Sequence, residues 1–501
     1  MQIITGNQSS VNKVDLSSIV AVQADGYWTV YQAPFLQDRI RIACKIQVLM
    51  VMLKAKSCKD ILKPSLPFST IMETLMEYAR NGVAPEWLRE VEKHEGVERE
   101  KILTLISQGK VVVPRNLRKD EDFIPRAIGK LVSTKINANI GTSADCINLQ
   151  EEIEKAVVAQ KYGADAIMDL SSGGDLDFIR KRIMEVVDVP FGTVPIYQIA
   201  REMNIADADE DDFFNVVEKH ARDGVDFMTI HAGVCRTTVE RLERSGRLLG
   251  VVSRGGSLTI AWMKHTGMEN PYYENFDYLL ELMREYDVTI SLGDAFRPGC
   301  IHDASDRVKF SEFIILGELT ERCRAAGVQA MVEGPGHVPV DEIATSVKAM
   351  KYATNEAPLY LLGPLVTDIA AGYDHIAGAI GAAIAGMHGA DFICYVTPAE
   401  HLALPTVDDV REGVIASKIA AHAIDLVKEG QKDRARRVDY EMSLARKNLD
   451  WETQFRLSID PERAREIHAR RKSKGETCSM CGDLCAIKTI NEVMGRREQN
   501  A

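Results

Sequence analysis

The 501-residue sequence has no apolar run long enough to cross a bilayer, because a membrane-spanning helix needs about 20 such residues. The longest apolar run near the start, Ile46–Leu53, is too short and lies too deep for a standard signal peptide. Positive charge is also in deficit, since the formal net charge is -12. Nucleic-acid binding leaves a basic footprint. We therefore expect neither a membrane nor a nucleic acid as a partner.

The ten cysteines show no spacing typical of a disulfide framework. Three of them lie close together near the C-terminus and the others are scattered. This usage is typical of a reduced compartment, so we expect a cytoplasmic protein.

Glutamate is absent from residues 1–71, and an amphipathic helical pattern then starts at Met72. We interpret 1–71 as an atypical N-terminal extension and hypothesise that Met72 is the native start. The other predicted divisions are an N-terminal segment over 72–130, a catalytic barrel over 131–407, a helical domain over 408–474, and a cysteine loop with a tail over 475–501.

The cysteine loop is Cys478-Ser479-Met480-Cys481-Gly482-Asp483-Leu484-Cys485. Its spacing lets three sulfurs converge on one small body. Structural zinc usually takes four protein ligands, whereas a [4Fe–4S] cluster held by three cysteines leaves one iron open. The spacing alone leaves three interpretations open: a cluster, a zinc knuckle with a distant fourth ligand, or a redox pair with a bystander.

Short β-rich runs alternate with amphipathic helices from about Lys110 onward, and helical patterns dominate after Val407. Strand–helix–strand alternation predicts parallel βαβ units. About eight such units predict an α/β fold of the closed (β/α)8 barrel type. The runs are Lys110–Pro114, Ser133–Ile140, Asp165–Leu170, Pro190–Pro195, Asp226–His231, Leu248–Ser253, Asp287–Leu292, Val328–Glu333, Leu359–Leu362 and Asp391–Val396.

Polar residues follow most of these runs, where barrel enzymes form their active sites. Arg254 and Arg297 offer planar forks suited to phosphate or carboxylate, unless each pairs with a neighbouring Asp. The glycine pairs Gly173-Gly174 and Gly255-Gly256 can present amides to an anion. Together these features indicate a small phosphorylated substrate.

His337 and His375 each follow an acidic residue and a turn. Imidazoles at two strand ends can share one divalent ion, although either histidine alone is more often a hydrogen-bonded residue of the barrel rim.

Several motifs in one order resemble the thiamine-pyrimidine (phosphomethylpyrimidine) synthase family, from about residue 75 to about 488. The resemblance does not extend to residues 1–71. The motifs are Asn137–Ser143, Gly192–Gln198, Ser253–Ser257, Glu333–Pro339, Gly363–Ile369, Gly372–Ile376 and the cysteine loop.

The resemblance implies a radical S-adenosylmethionine lyase that acts on aminoimidazole ribotide. Cys478, Cys481 and Cys485 would hold a [4Fe–4S] cluster with S-adenosylmethionine on its open iron, and His337 and His375 would hold zinc or iron. It also implies a homodimer and an electron donor such as flavodoxin or ferredoxin. Glu333 is expected to be catalytic. The positions that match substrate contacts are Asn139, Met168, Tyr197, His231, Ser253, Arg254, Gly255, Asp294, Arg297, Glu333 and Tyr360.

Two departures separate this chain from the pyrimidine pattern. Ala295-Phe296 stands where that pattern has Gly-Leu, and Ala371 stands where it has Pro. We expect these changes to reshape the pocket, and we therefore predict the paralogous product, 5-hydroxybenzimidazole, a precursor of cobamide lower ligands. The alternative is 4-amino-5-hydroxymethyl-2-methylpyrimidine phosphate for thiamine. Alternatives of another class are a zinc-containing metal-dependent hydrolase and a non-catalytic ribotide-binding protein.

Overall fold

The computed structural model describes residues 19–24, 27–32, 74–120, 123, 125–471 and 475–498. The chain divides into two compact units, Met1–Ile71 and Met72–Ala501. Within the first unit the structure describes one antiparallel hairpin, formed by β1 (Ile19–Ala24) and β2 (Tyr27–Gln32). The rest of the proposed N-terminal extension, the apolar run within it and the proposed start at Met72 lie outside the described residues. Among the described helices, none has the length and apolar character required to span a membrane.

Eight parallel strands close into a barrel, which confirms the (β/α)8 prediction. Each strand pairs with the next one along the chain, and the last strand pairs with the first through Phe392 opposite Lys135 and Cys394 opposite Asn137. The barrel strands are β5 (Lys135–Ile140), β6 (Ala166–Asp169), β7 (Phe191–Thr193), β8 (Phe227–Ile230), β9 (Thr289–Leu292), β10 (Ala330–Glu333), β11 (Leu359–Leu362) and β12 (Phe392–Cys394).

Two of the predicted β-rich runs lie outside the barrel. The first contains β3 (Val111–Val112), which pairs antiparallel with β4 (Ile128–Gly129). The prediction of a strand over Leu248–Ser253 is wrong, because the amides of Leu248 and Leu249 donate to the Asp303 carboxylate rather than to a neighbouring strand. These two leucines are 68% and 49% exposed, so their apolar character does not mark a core position.

The helices between the strands bury one face each against the barrel. Glu210–Asp223 is an example: a capping box of Asp209 and Asp212 starts it, and Gly224 in the left-handed region ends it. The helices of this part are Leu75–Arg80, Leu88–Glu95, Arg99–Ser107, Leu149–Lys161, Leu176–Met184, Ile196–Glu202, Glu210–Asp223, Arg236–Glu243, Arg254–Thr266, Pro271–Glu274, Phe276–Tyr286, Arg307–Ala326, Val340–Ala353 and Asp374–Met387.

The C-terminal part is helical, as the sequence predicts. Contacts of Trp451 and Asn491 tie the cysteine loop to its helices: Trp451 Nε1 donates to the Glu476 carbonyl at 2.8 Å, and Asn491 Nδ2 donates to the Lys447 carbonyl at 2.7 Å. The helices are Val407–Asp425, Lys432–Lys447, Trp451–Leu457, Pro461–Ala469 and Ala486–Glu498.

Aromatic side chains fill the barrel interior. Phe392 packs edge-on against Phe227, with ring centroids 6.3 Å apart, and lies 4.5 Å from the ring of Tyr360. Gly192 on β7 leaves the space that the Phe227 ring occupies, because a Cβ at position 192 would overlap that ring. The interior is thus closed by matched large and small residues, as in other close-packed cores.

We expect Gly192→Ala to destabilise the barrel by roughly 1–3 kcal/mol, because it overpacks a filled interior. The matched control is Gly475→Ala, whose new Cβ would meet no heavy atom of the described residues within 4 Å and should change stability by less than about 0.5 kcal/mol. Chemical denaturation followed by circular dichroism measures both variants. Equal unfolding midpoints for the Gly192→Ala variant and the unmutated chain would contradict this packing.

Candidate active site

A cavity opens at the ends of the barrel strands, and nine of the eleven residues predicted to contact substrate line it. Arg254 and Gly255 are the two that do not. The lining residues are Asn139, Met168, Leu170, Val194, Tyr197, Thr229, His231, Ser253, Asp294, Arg297, Glu333, Tyr360, Leu362 and Cys394. Most of the positions that the family resemblance implies thus line one continuous surface.

Asp294, Arg297 and Glu333 form the charged centre of this cavity. Arg297 Nη1 donates to Asp294 Oδ1 at 2.9 Å, and Glu333 Oε1 accepts hydrogen bonds from Thr229 and Ser291 at 2.7 Å each. Burial and the nearby charge of Asp294 raise the pKa of Glu333 to about 7, although the two hydroxyl donors and Arg297 lower it in part. The centre can therefore exchange a proton near neutral pH.

The electrostatics of the pair Asp294–Arg297 follow from burial and mutual attraction. Burial raises the pKa of Asp294 more than its bond to Arg297 lowers it. Burial lowers the pKa of Arg297, but the carboxyls of Asp294 and Glu333 outweigh that effect and raise it above its ordinary value. Arg297 therefore stays charged and offers the cavity a fixed positive group.

His231 forms one wall of the cavity. Its Nε2 lies 2.9 Å from Ser253 Oγ, which also caps the helix Arg254–Thr266 by accepting the Gly256 amide at 3.1 Å. Burial, helped by the charge of Arg297, lowers the pKa of His231 to about 3, so the ring is neutral. Its Nδ1 is buried, faces Gly255 and has no hydrogen-bond partner in the described part of the chain.

Gly255 lies behind the His231 ring, and Arg254 lies at the rim of the cavity. Any Cβ at Gly255 would overlap the His231 ring, so this glycine gives the ring its place. The Arg254 guanidinium lies over the Tyr197 ring, 4.9 Å from its centroid. Of the two candidate anion-binding arginines, Arg297 thus pairs with a neighbouring Asp, whereas Arg254 stacks on an aromatic ring.

The cavity floor is a chain of neutral polar groups. Asn137 Nδ2 donates to Tyr360 Oη at 2.8 Å and to Asn139 Oδ1 at 2.7 Å, and Asn139 Nδ2 donates to Cys394 Sγ at 2.9 Å. Burial raises the pKa of Cys394 to about 12, so it is a thiol. The sequence motifs do not single out Cys394 or Thr229. Side chains along a strand alternate between inward- and outward-facing positions, and this alternation along β12 and β8 could have identified both.

The structure places His401, rather than His375, beside His337. The ring centroids of His337 and His401 are 5.3 Å apart, whereas His375 stacks near the ring of Tyr373. His401 also has a φ of 63°, in the left-handed region, which is uncommon outside glycine and often marks a functional position.

A carboxylate faces Nδ1 of each of these two rings. Asp368 Oδ1 lies 2.9 Å from His337 Nδ1, and Asp374 Oδ2 lies 3.5 Å from His401 Nδ1. Such hydrogen bonds fix the tautomer and orientation of metal-binding histidines. The Asp368 contact is one, whereas Asp374 Oδ2 has no hydrogen-bond partner among the described residues and only lies near the ring. Nε2 is then the nitrogen of each ring that could bind a metal. Among the described residues, no three His, Cys, Asp or Glu side chains are arranged around one metal position. A two-histidine site would need water or substrate as further ligands.

The cysteine loop is a compact turn. The Gly482 amide donates to the Cys478 carbonyl at 3.1 Å, and the Leu484 amide donates to the Cys481 carbonyl at 3.0 Å. Cys481 is exposed, Cys478 half-buried and Cys485 buried. Three thiols on one short turn are the donor chemistry of an iron–sulfur cluster with one open iron, although here their side chains do not surround one metal position.

Comparison with known proteins gives one consistent assignment. A model described as the radical SAM ThiC family matches residues 74–492. The phosphomethylpyrimidine synthase of Archaeoglobus fulgidus is 73% identical over 424 residues, which cover 84% of this chain and 100% of the relative. Phosphomethylpyrimidine synthase 1 of Methanosarcina mazei is 57% identical, covering 85% of this chain and 99% of the relative. The synthase of Pyrococcus furiosus is 54% identical, covering 85% and 100%.

The match confirms the family resemblance, and it also identifies the chain as an enzyme. The family chemistry requires a [4Fe–4S] cluster and S-adenosylmethionine as cofactors. The chain belongs to the radical SAM ThiC family.

Proposed function

We propose that the chain is a phosphomethylpyrimidine synthase, which rearranges aminoimidazole ribotide to 4-amino-5-hydroxymethyl-2-methylpyrimidine phosphate for thiamine. One observation carries this proposal: the chain is 73% identical to a synthase of that name over the relative's whole length. The relatives thus favour the alternative of our sequence interpretation over its main prediction, 5-hydroxybenzimidazole. Membership of an enzyme family is the reason to set aside the hydrolase and the non-catalytic binding protein.

The departures that suggested the benzimidazole product do not lie in the cavity. Ala295 and Phe296 are fully buried, and neither side chain lines the cavity between Asp294 and Arg297. A Cβ at Gly256 would lie 2.6 Å from the Cβ of Ala295, which shows that Ala295 packs against the neighbouring helix. Ala371 is exposed and does not line the cavity either. We therefore withdraw the expectation that these side chains reshape the pocket.

The cavity offers groups of three kinds to a ribotide. Arg297 suits its anionic part, and the carboxyls of Asp294 and Glu333 suit the amino group and ring nitrogens of the imidazole. The amide of Asn139 and the hydroxyl of Tyr360 suit ribose hydroxyls. Cys478, Cys481 and Cys485 would hold the cluster, which would supply the electron for reductive cleavage of S-adenosylmethionine and so the radical chemistry on the ribose. A homodimer, a cytoplasmic location and reduction by flavodoxin or ferredoxin complete the proposal.

A divalent ion, zinc or iron, is proposed at Nε2 of His337 and His401. The supporting observation is that a carboxylate faces Nδ1 of each ring, Asp368 for His337 and Asp374 for His401. This assignment replaces His375 in the proposed pair. His375 remains a candidate rim residue.

We expect anaerobically reconstituted protein, given ribotide, S-adenosylmethionine and a strong reductant, to release the pyrimidine phosphate as its main product. Chromatography with mass detection identifies the product. Cys481→Ala is the control, and it should form no 5′-deoxyadenosine because it lacks one cluster ligand. If 5-hydroxybenzimidazole is the main product, the proposed reaction is wrong.

The metal proposal predicts that His401→Ala and His375→Ala differ. Loss of a direct ligand should weaken zinc binding by more than about 100-fold, since even loss of an outer partner costs about 10–100-fold. His375→Ala should bind zinc as the unmutated site does. Titration of zinc into protein in which Cys478, Cys481 and Cys485 are all Ala isolates the barrel site. Equal zinc affinity for the His401→Ala and His375→Ala proteins would refute the assignment.

Ribotide binding should depend on the ionisation of Glu333. Because the pKa of this carboxyl is raised to about 7, it loses its charge as the pH falls through neutrality. If the carboxylate accepts the amino group of the imidazole, the Kd should rise about tenfold per pH unit well below pH 7. Glu333→Gln should remove this part of the profile, leaving only the titration of the ribotide itself. Calorimetry without S-adenosylmethionine measures both profiles, and parallel profiles would argue against this role.

A further inference from the structure

Glu312, on the helix Arg307–Ala326, is a carboxyl with no exposed surface directly behind the cavity. Its Oε2 accepts the Phe296 amide at 2.9 Å, and the neighbouring Ala295 amide lowers the pKa of this carboxyl in part. Its Oε1 has no hydrogen-bond partner among the described residues. A buried carboxyl costs stability unless it is well paired, so its place here calls for a role.

The position of Glu312 joins two cavity loops. Ala295 and Phe296 form the turn between Asp294 and Arg297. On the other side, a Cβ at Gly233 would lie 3.2 Å from Glu312 Oε1, so the loop that follows His231 presses against the same carboxyl. Glu312 is therefore wedged between the backbones that carry His231 and the charged pair.

Hydrogen bonds hold the backbone of Phe296 at both its amide and its carbonyl. Glu312 accepts its amide, and Arg247 Nη2 donates to its carbonyl at 2.6 Å. Arg247 is in turn paired with Asp306. These contacts engage the backbone, so they hold whatever side chains occupy positions 295 and 296. This accounts for the Ala-Phe departure without any change in the cavity.

The protonation state of Glu312 suits a holding role. Burial, together with the charge of Asp294, raises the pKa of this carboxyl well above its ordinary value, which favours its neutral form. A neutral carbonyl oxygen still accepts amide hydrogen bonds.

We propose that Glu312 is a positioning residue, which fixes the turn between Asp294 and Arg297 through the amide of Phe296 and so aims both charged side chains at the substrate. The identity of that substrate rests on the proposed function. The hold on the turn does not.

The test compares Glu312→Gln with Glu312→Leu. Gln keeps a neutral oxygen acceptor, and its Kd for aminoimidazole ribotide should stay within about threefold of the unmutated value. Leu removes the acceptor and leaves the buried Phe296 amide unpaired, which should raise the Kd by about tenfold or more. Titration calorimetry without S-adenosylmethionine measures binding alone. Normal binding by the folded Leu variant, or equally weak binding by both variants, would overturn the proposal.

Asp287→Ala is the matched control for a general loss of stability. Asp287 is also a buried carboxyl that accepts one amide, that of Leu75 at 2.9 Å, but it lies before β9, at the opposite end of the barrel. This variant should unfold at a lower temperature and still bind ribotide within about twofold. If it weakens binding as much as Glu312→Leu does, the effect of position 312 is only structural and the proposal fails.

Hydrogen exchange separates the two proposals. The amide of Phe296 should exchange about tenfold faster or more in Glu312→Leu, and at the unmutated rate in Glu312→Gln. This readout needs no ligand. Absence of ribotide binding by the unmutated chain would therefore refute the proposed substrate while leaving this test in force. Should Glu312→Leu not fold, Glu312→Asp withdraws the oxygen by one methylene and takes its place, and unchanged exchange in that variant would overturn the hold on the turn.

Discussion

Two carboxyls and a guanidinium share the mouth of the barrel, and burying such charges costs several kcal/mol for each unless they are well paired. Arg297 and Asp294 pair with each other at 2.9 Å. The burial of Glu333 is offset by two hydroxyls that donate hydrogen bonds to its carboxyl. The barrel makes this arrangement geometrically available: strand register sets Thr229 opposite Ser291, so both hydroxyls reach the carboxyl on β10. Site and scaffold thus depend on the same strand pairing.

The groups around this centre hold it from several sides. Gly255 packs against one face of the His231 ring, and Ser253 Oγ lies within hydrogen-bond distance of His231 Nε2. Both contacts hold the ring in place. Glu312 grips the backbone of the turn that carries Asp294 and Arg297. These supports are mostly backbone contacts and small residues, which position side chains without adding charge to the cavity. Preorganisation of this kind lets a site bind a charged substrate without rearranging its own dipoles.

The sequence predicted the barrel well because strand and helix periods alternate regularly, and it located the cavity because parallel strands end at one rim. It failed where local pattern and tertiary position disagree. The pattern of Leu248–Ser253 is typical of a strand, yet its two leucines are exposed and their amides donate to Asp303. His375 has the same strand-end setting as His401, and only the fold shows which of them faces His337. The Ala295 side chain could not be placed outside the cavity without knowing that it packs on Gly256.

We expect the ribotide to bind at the charged centre at the barrel mouth. A structure of the chain determined with aminoimidazole ribotide tests this most directly. The ribotide should lie in the cavity, with its polar atoms within hydrogen-bond distance, about 2.7–3.2 Å, of Arg297 and Glu333. A ribotide bound elsewhere on the barrel, or a cavity that stays empty at saturating ribotide, would contradict it.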